Sequence, residues 1–342
     1  MQAFKRHSFT LIATALACSA LVACSDKSAT QSQPAASAAG SAPAAAATSG
    51  AKLQSNFVTI ATGGASGPYN IIGTALAEVY VKVFGVNSKT QTTGASVENI
   101  NLIDQKKAEM AFVMSDALAD AVNGTGSFQK KIETVSQVAA LYPNYVQIVT
   151  SGKTGINTIA DLKGKRVAVG AQNSGVEVNA RTLLNGFGIS YDDLKVDYLG
   201  YAEAADALKA GRIDAAFLTS GIPNSSLMEL QQGFDLKLVS VPAEQLSGIA
   251  KDKPYFVALS IPKDTYGNTE DVPTAAIMNA LVVRKDMSDD DVYQLTKTFY
   301  ENLPTLQTAH QAAAAVNLQD GQKNFVAPVH TGAQRYYDEA SK

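Results

Sequence analysis

The sequence predicts an α/β protein of two similar lobes that face each other across a cleft. Three observations carry this reading. Short β-like runs alternate with helical stretches from residue 57 onward, the alternation occurs twice, and polar turns bearing glycine and serine fall where strands end and helices begin. In open α/β sheets that edge is where ligands sit, so two such edges placed face to face make a binding cleft.

The first lobe starts with the strand Phe57-Val58-Thr59-Ile60-Ala61. Gly63-Gly64-Ala65-Ser66-Gly67-Pro68-Tyr69 is a glycine-rich turn, with Ser66 placed to cap a helix and Pro68 in its first turn. Ile71, Ile72, Ala75, Leu76, Val79 and Val83 then recur at helical spacing. Thr93-Gly94-Ala95-Ser96 opens a second helix with Ile100 and Ile103 on its buried side. A turn at Lys107-Ala108-Glu109 leads into the strand Met110-Ala111-Phe112-Val113-Met114, which ends at Ser115-Asp116.

The second lobe repeats the scheme. Arg166-Val167-Ala168-Val169 is a strand, Gly170-Ala171-Gln172-Asn173-Ser174-Gly175 a polar turn, and 176–185 a helix stopped by Gly186 and Gly188. A helix through Ala204-Ala205-Asp206-Ala207-Leu208 and the turn Ala210-Gly211-Arg212 lead to the strand Ile213-Asp214-Ala215-Ala216-Phe217-Leu218. That strand ends at Thr219-Ser220-Gly221, with Pro223 just beyond. Turn and strand end lie about 50 residues apart in both halves, longer than one supersecondary unit.

Ahead of the lobes, Lys5, Arg6 and His7 precede the apolar run Phe9-Thr10-Leu11-Ile12-Ala13-Thr14-Ala15-Leu16-Ala17, too short to span a membrane and therefore read as a secretory signal peptide. Leu21-Val22-Ala23-Cys24 offers small residues at a cut and a thiol to acylate, so 1–23 is expected to be removed and Cys24 lipidated. Residues 24–55, rich in Ala, Ser and Pro, read as a tether: Pro34, Gly40, Pro43 and Gly50 interrupt every candidate helix. The product is expected to be exported and anchored to a bilayer, periplasmic or at the cell surface.

Composition narrows the function classes. The chain is 46% hydrophobic and 17% charged with a formal net charge of −3, so it lacks the basic balance of a nucleic-acid binder. Of its two cysteines, Cys18 and Cys24, the first goes with the signal, leaving no disulfide and no thiolate metal site. After the signal only His310 and His330 remain, in no metal-ligand spacing. The glycine-rich turn at Gly63 is neither a phosphate loop nor a dinucleotide fingerprint. Asp289-Asp290-Asp291 after Ser288 reads as an acidic helix start rather than a calcium site. No enzyme, cofactor or metal is expected.

Three long motifs carry a family resemblance: Gly63-Gly64-Ala65-Ser66-Gly67-Pro68-Tyr69, Thr93-Gly94-Ala95-Ser96-Val97-Glu98-Asn99-Ile100 and Asn173-Ser174-Gly175-Val176-Glu177-Val178-Asn179-Ala180-Arg181. With Pro254-Tyr255-Phe256-Val257 and His330-Thr331-Gly332-Ala333-Gln334-Arg335-Tyr336-Tyr337, they resemble the TAXI solute receptors of TRAP transporters. The resemblance implies a type II periplasmic-binding-protein fold, and lobes at 56–146, 147–256 and 257–342, the last stretch returning to the first lobe and adding C-terminal helices. Crossings fit at Tyr145-Val146-Gln147-Ile148-Val149 and Phe256-Val257-Ala258-Leu259-Ser260-Ile261. It also implies a monomer that delivers a glutamate-like amino acid or C5 dicarboxylate to TRAP membrane subunits, small and large subunit fused, driven by an ion gradient. Val176 stands where the family often has Thr, and Thr331 where it has Pro. A ligand-binding lipoprotein serving a sensor or adhesion role is the alternative.

An anion would be held by the first N–H groups of helices, which lack internal partners and carry the positive end of the helix dipole. The expected ligand contacts are Gly64, Ser66, Gly67 and Tyr69; Ser96, Ser115 and Asp116; Asn173, Ser174, Gly175, Val176 and Glu177; and Gly221 with Pro223. Any one serine is also explained as a plain helix cap; taken together, at least two of the four serine turns are expected to touch the ligand. Tyr69 could instead pack between lobes, and Glu177 could simply compensate its helix dipole. Arg181, further along the helix, is expected to pair within its lobe.

Overall fold

The computed structural model describes residues 52–342. The signal peptide, Cys24 and most of the expected tether lie outside the described residues. The tether's last residues are docked: Leu53 is buried in the core, and the N–H groups of Gln54 and Ser55 donate to the Asp291 carboxylate at 2.7 and 2.9 Å. The folded part thus begins a few residues before the expected boundary at 55.

Chain order is β1 (Phe57–Ala61), α1 (Pro68–Phe84), β2 (Asn87–Gln91), α2 (Ser96–Asp104), β3 (Met110–Met114), α3 (Ser115–Asn123) and β4 (Val135–Ser151). Then come β5 (Arg166–Ala168), α4 (Gly175–Gly186), β6 (Lys195–Asp197), α5 (Tyr201–Lys209), β7 (Ala215–Ser220), α6 (Ser225–Leu230), β8 (Leu236–Val239) and α7 (Ala243–Asp252). The chain closes with β9 (Val257–Ile261), β10 (Val272–Arg284), α8 (Asp289–Glu301), α9 (Leu303–Ala309), α10 (Leu318–Gly321) and α11 (Thr331–Ala340).

The strands form one mixed sheet in the order β2-β1-β3-β10-β4-β7-β5-β6, with β8 on β4 and β9 on β10. Each lobe contributes a small parallel set, β2-β1-β3 and β7-β5-β6, and the long antiparallel pair β4 and β10 runs through both. β4 pairs with β7 from Tyr145 to Thr150, and β10 pairs with β3 from Asn279 to Val283, so each long strand changes lobe near its middle. The first crossing therefore falls in the expected Tyr145 region. The return crossing does not: Phe256 and Ile261 both pack in clusters with second-lobe strands, and the chain goes back through β10 instead.

Alternation along the strands supplies both faces of each lobe. Met110 and Phe112 of β3 pack against α1, α8 and α11, whereas Ala111 and Val113 pack against α2 and α3. In β7, Ala215 and Phe217 face one cluster and Ala216 and Leu218 the other. The buried stripe of α1 is Ile72, Leu76, Val79 and Tyr80; Val83, expected on it, is exposed. Gly85, at φ 66°, ends that helix in the left-handed conformation glycine adopts without a Cβ clash. Asp289, Asp290 and Asp291 form the first turn of α8, with Ser288 Oγ accepting from the Asp291 N–H.

Candidate solute-binding cleft

Each parallel strand delivers the chain to a helix start, and these starts converge from both lobes. A cavity of ≈ 70 Å³ lies between them. The first lobe lines it with Gly63, Gly64, Gly67, Pro68 and Tyr69 before and in α1, Thr93, Gly94 and Ala95 before α2, and Met114 before α3. The second lobe adds Ala171, Ser174 and Val176 around the start of α4, Gly200 and Tyr201 at the start of α5, and Ser220 at the end of β7. Asn144, from β4, forms the floor between the lobes.

Among the described residues, no charged side chain lines this cavity. The N-cap residues of five helices of nine or more residues line it, an arrangement in which helix dipoles favour negative charge. Among the described residues, the N–H groups of Tyr69, Gly175, Val176, Tyr201 and Ala202 have no hydrogen-bond partner. The Glu177 N–H is already taken by Ser174 Oγ, at 3.0 Å. Asn144 is buried with its Oδ1 unpartnered, and Tyr142 Oη in the same strand and Thr219 Oγ1 in the neighbouring β7 are orphaned likewise. A buried polar atom without a partner costs free energy, so Asn144 is a ready acceptor for a solute donor.

The two lobes touch around this cavity. Ser225 Oγ donates to the Ser66 carbonyl at 2.8 Å, the Glu98 N–H donates to the Asn173 carbonyl at 3.3 Å, and Asn179 Nδ2 donates to Asp116 Oδ2 at 2.5 Å. A Cβ on Gly175 would stand 2.7 Å from Ser96 Oγ and 3.2 Å from the Met114 thioether, so that glycine permits the closest approach. This is a closed cleft.

The expected contacts divide accordingly. Gly64, Gly67, Tyr69, Ser174 and Val176 line the cavity. Tyr69 donates its hydroxyl to Asn279 Oδ1 in β10, so it walls the cavity while joining α1 to the crossing strand; burial raises its pKa well above that of a free phenol. The remaining residues hold structure outside the lining. Ser66 does not cap α1, whose N-cap is Gly67; its carbonyl instead receives Ser225. Ser96 is fully buried, its Oγ accepting from the Met114 N–H at 3.0 Å. Ser115 and Asp116 sit in the first turn of α3, with Asp116 spent on the other lobe.

Asn173 takes a positive φ of 60° and uses its carbonyl on Glu98, and Gly175 faces Ser96. Glu177 turns away to Arg181 and to Tyr191 Oη, with the Arg181 guanidinium 4.4 Å above the Tyr191 ring, the intralobe pairing expected of Arg181. Gly221 fits against Ala312 and the Tyr142 ring, and Pro223 follows it through a cis peptide bond.

Sequence reasoning missed Asn144, Met114, Gly200 and Tyr201. A polar residue within the β run around Pro143 was a signal for the first. Gly200-Tyr201 at a helix start parallels Gly67-Pro68-Tyr69, and the Tyr201 ring would lie 3.2 Å from a Cβ on Gly67. The two histidines among the described residues are caps: His330 Nδ1 accepts from the Gly332 N–H at the start of α11, and His310 Nδ1 from Ala312. Burial lowers the pKa of both, which keeps them neutral.

Two α/β lobes bridged by long antiparallel strands and shut on a cavity of helix starts define the periplasmic-binding-protein fold. The chain belongs to the NMT1-like family, whose model matches residues 60–340. Solved structures agree on the fold. A protein from Bordetella bronchiseptica RB50 superposes with a TM-score of 0.54 at 16% identity, covering 85% of this chain and 100% of that one. The periplasmic binding protein BugD gives 0.54 at 13% identity, covering 83% and 94%. PhnD1 from Prochlorococcus marinus (MIT 9301), solved in complex with methylphosphonate, gives 0.53 at 11% identity, covering 84% and 97%.

Proposed function

We propose that this chain is an extracytoplasmic receptor that captures a small anionic solute by cleft closure and hands it to a membrane transporter. The observation that carries this reading is the convergence of helix N-termini from both lobes on a cavity without a charged side chain. Backbone N–H groups and helix dipoles there favour a carboxylate or similar group without any guanidinium. PhnD1, with the same fold, was solved in complex with methylphosphonate, which is consistent with this class of solute. The turn at Asn173-Ser174-Gly175 presents the second lobe's donors.

The finer reading rests on the three TAXI-like motifs: a glutamate-like amino acid or C5 dicarboxylate as solute, fused TRAP subunits powered by an ion gradient as membrane partner, and export with acylation at Cys24. A receptor needs no catalytic group, and the two histidines serve as caps. The test is a thermal-shift screen against L-glutamate, 2-oxoglutarate, neutral sugars and apolar amino acids. A solute at about 100 times its Kd should add about 2.7 kcal/mol to stability. A shift with sugars or apolar amino acids and none with either anion overturns the reading.

A further inference from the structure

The closed cleft contains a buried carboxylate that does not line the solute cavity. Asp116, at the start of α3, is 5% exposed, and Asn179, in α4 on the facing lobe, is fully buried. Asn179 Nδ2 donates to Asp116 Oδ2, yet Asp116 Oδ1 and Asn179 Oδ1 are both buried without a partner. A carboxylate and an amide that meet with two acceptors left over are short of one hydrogen.

We propose that Asp116 takes up one proton from solvent as the lobes close, and that the protonated Asp116–Asn179 pair is the latch between them. The proton sits on Asp116 Oδ1 and is donated to Asn179 Oδ1, while Asn179 Nδ2 continues to donate to Asp116 Oδ2. Both orphaned acceptors are then satisfied. Without the proton, closure would bury an ionised carboxylate offset only by the Asn179 amide and the backbone N–H groups at the start of α3, which is costly. Among the described residues no cation lies against it: Lys253, beyond α7, reaches Asp120 at 3.9 Å rather than Asp116.

The groups that act on Asp116 come from each element around it. Burial has the largest effect and Asp120, four residues along α3, adds to it; the backbone N–H groups of Ala117 and Asp116 and the Lys253 ammonium oppose both. Tyr69 from α1 is within electrostatic reach. Glu177, earlier on α4, is turned to Arg181 and Tyr191. Burial prevails and pushes the Asp116 carboxyl up to about 7. In an open cleft the group is hydrated and returns to about 3.9, the ordinary aspartate value.

The sign follows from the direction of the shift. An acid whose pKa is raised in the closed form binds a proton on closing, so closure is favoured at low pH and weakens as pH rises through about 7. Between pH 8 and pH 6 the closed-to-open ratio should rise about tenfold.

The experiment needs no solute, so its failure would leave the receptor reading standing. The purified chain, labelled with 13C at aspartate carboxyls, is titrated by NMR, and its radius of gyration is measured at pH 6 and pH 8. One aspartate should titrate near neutrality and vanish in Asp116→Asn, and the radius should be smaller at pH 6. Asp116→Asn supplies the missing donor permanently and should be compact at both pH values. Asn179→Ala, on the other lobe, should return Asp116 toward the ordinary aspartate range, an effect that a role confined to α3 would not produce. Should Asp116→Asn fail to fold, the wild type and Asn179→Ala decide. An aspartate set that titrates wholly in the ordinary range, a near-neutral titration untouched by Asn179→Ala, or a radius independent of pH would overturn the proposal.

Discussion

Replacing Gly175 by valine tests whether solute affinity depends on the lobes meeting at that point. A Cβ there stands 2.7 Å from Ser96 Oγ and 3.2 Å from the Met114 thioether, both on the facing lobe. Ser96 cannot retreat without breaking its hydrogen bond to the Met114 N–H, and it is fully buried. The methionine can yield, since its thioether is flexible. Valine then adds two methyl groups to a contact already too close for one carbon. Overpacking of this kind costs about 1–3 kcal/mol. The closed form bears the whole cost because the open form holds the two surfaces apart, so apparent affinity should fall between about 5-fold and 150-fold.

Gly175 has no positive φ, so the cost is steric and valine should leave the fold of the second lobe intact. Calorimetric titration with the best solute from the screen, together with the radius of gyration at saturation, measures both. Wild-type affinity and wild-type compaction in Gly175→Val would refute the reasoning. A melting temperature that collapses in the absence of solute would also count against it, by placing the clash within one lobe.

Ser174→Ala removes the cap on the Glu177 N–H and should cost about 1 kcal/mol, up to ~3 if the hydroxyl also meets a charged solute group; titration and melting separate the two. Arg181→Gln should leave affinity nearly unchanged while lowering the melting temperature slightly, because its half-exposed guanidinium serves Glu177 and Tyr191 within the lobe. Abolished binding in a folded Arg181→Gln would mean that a guanidinium holds the anion. Cys24→Ala should release the protein from the membrane fraction without changing solute affinity, and recovery of a lipid-bearing mutant would count against acylation at that residue.

Local structure was legible where one short stretch decides it. β1, β3, β5 and β7 are runs of branched and apolar residues bounded by polar turns, and α1, α2 and α4 begin close to where glycine, serine and proline place them. The return crossing was not legible, because Phe256–Ile261 and Val272–Arg284 both read as apolar β runs and only pairing with β3 distinguishes the second. Polar β2, Asn87–Gln91, carries no apolar alternation at all and is a strand because β1 offers it an edge.

The site shows the same division. Turn residues announce that a helix start is present, but not which atoms of the turn stay free. Ser96 and Ser66 look alike in sequence, yet one anchors a strand end and the other lends its carbonyl to Ser225. Glu177 and Asp116 are carboxyl side chains at similar helix positions; Arg181 and Tyr191 claim the first, and the opposite lobe claims the second. Those partners lie 63 residues apart for Asp116 and Asn179, beyond the reach of any local pattern.

The crossing strands change register where they change lobe. Met278 pairs with Pro143 and Ala280 with Ala140, so β4 carries an extra residue opposite β10 there, a bulge that bends and twists the pair. Asn144 lies beside it, and Asn279 within it receives the Tyr69 hydroxyl while donating to the Tyr142 carbonyl at 2.7 Å. The joint between the lobes and the floor of the cavity are therefore built from the same few residues. On the proposed function, selectivity and release rate cannot be tuned separately at this place: a substitution at Asn144 made to admit a new solute would also alter the stiffness of the joint, and with it how long that solute stays.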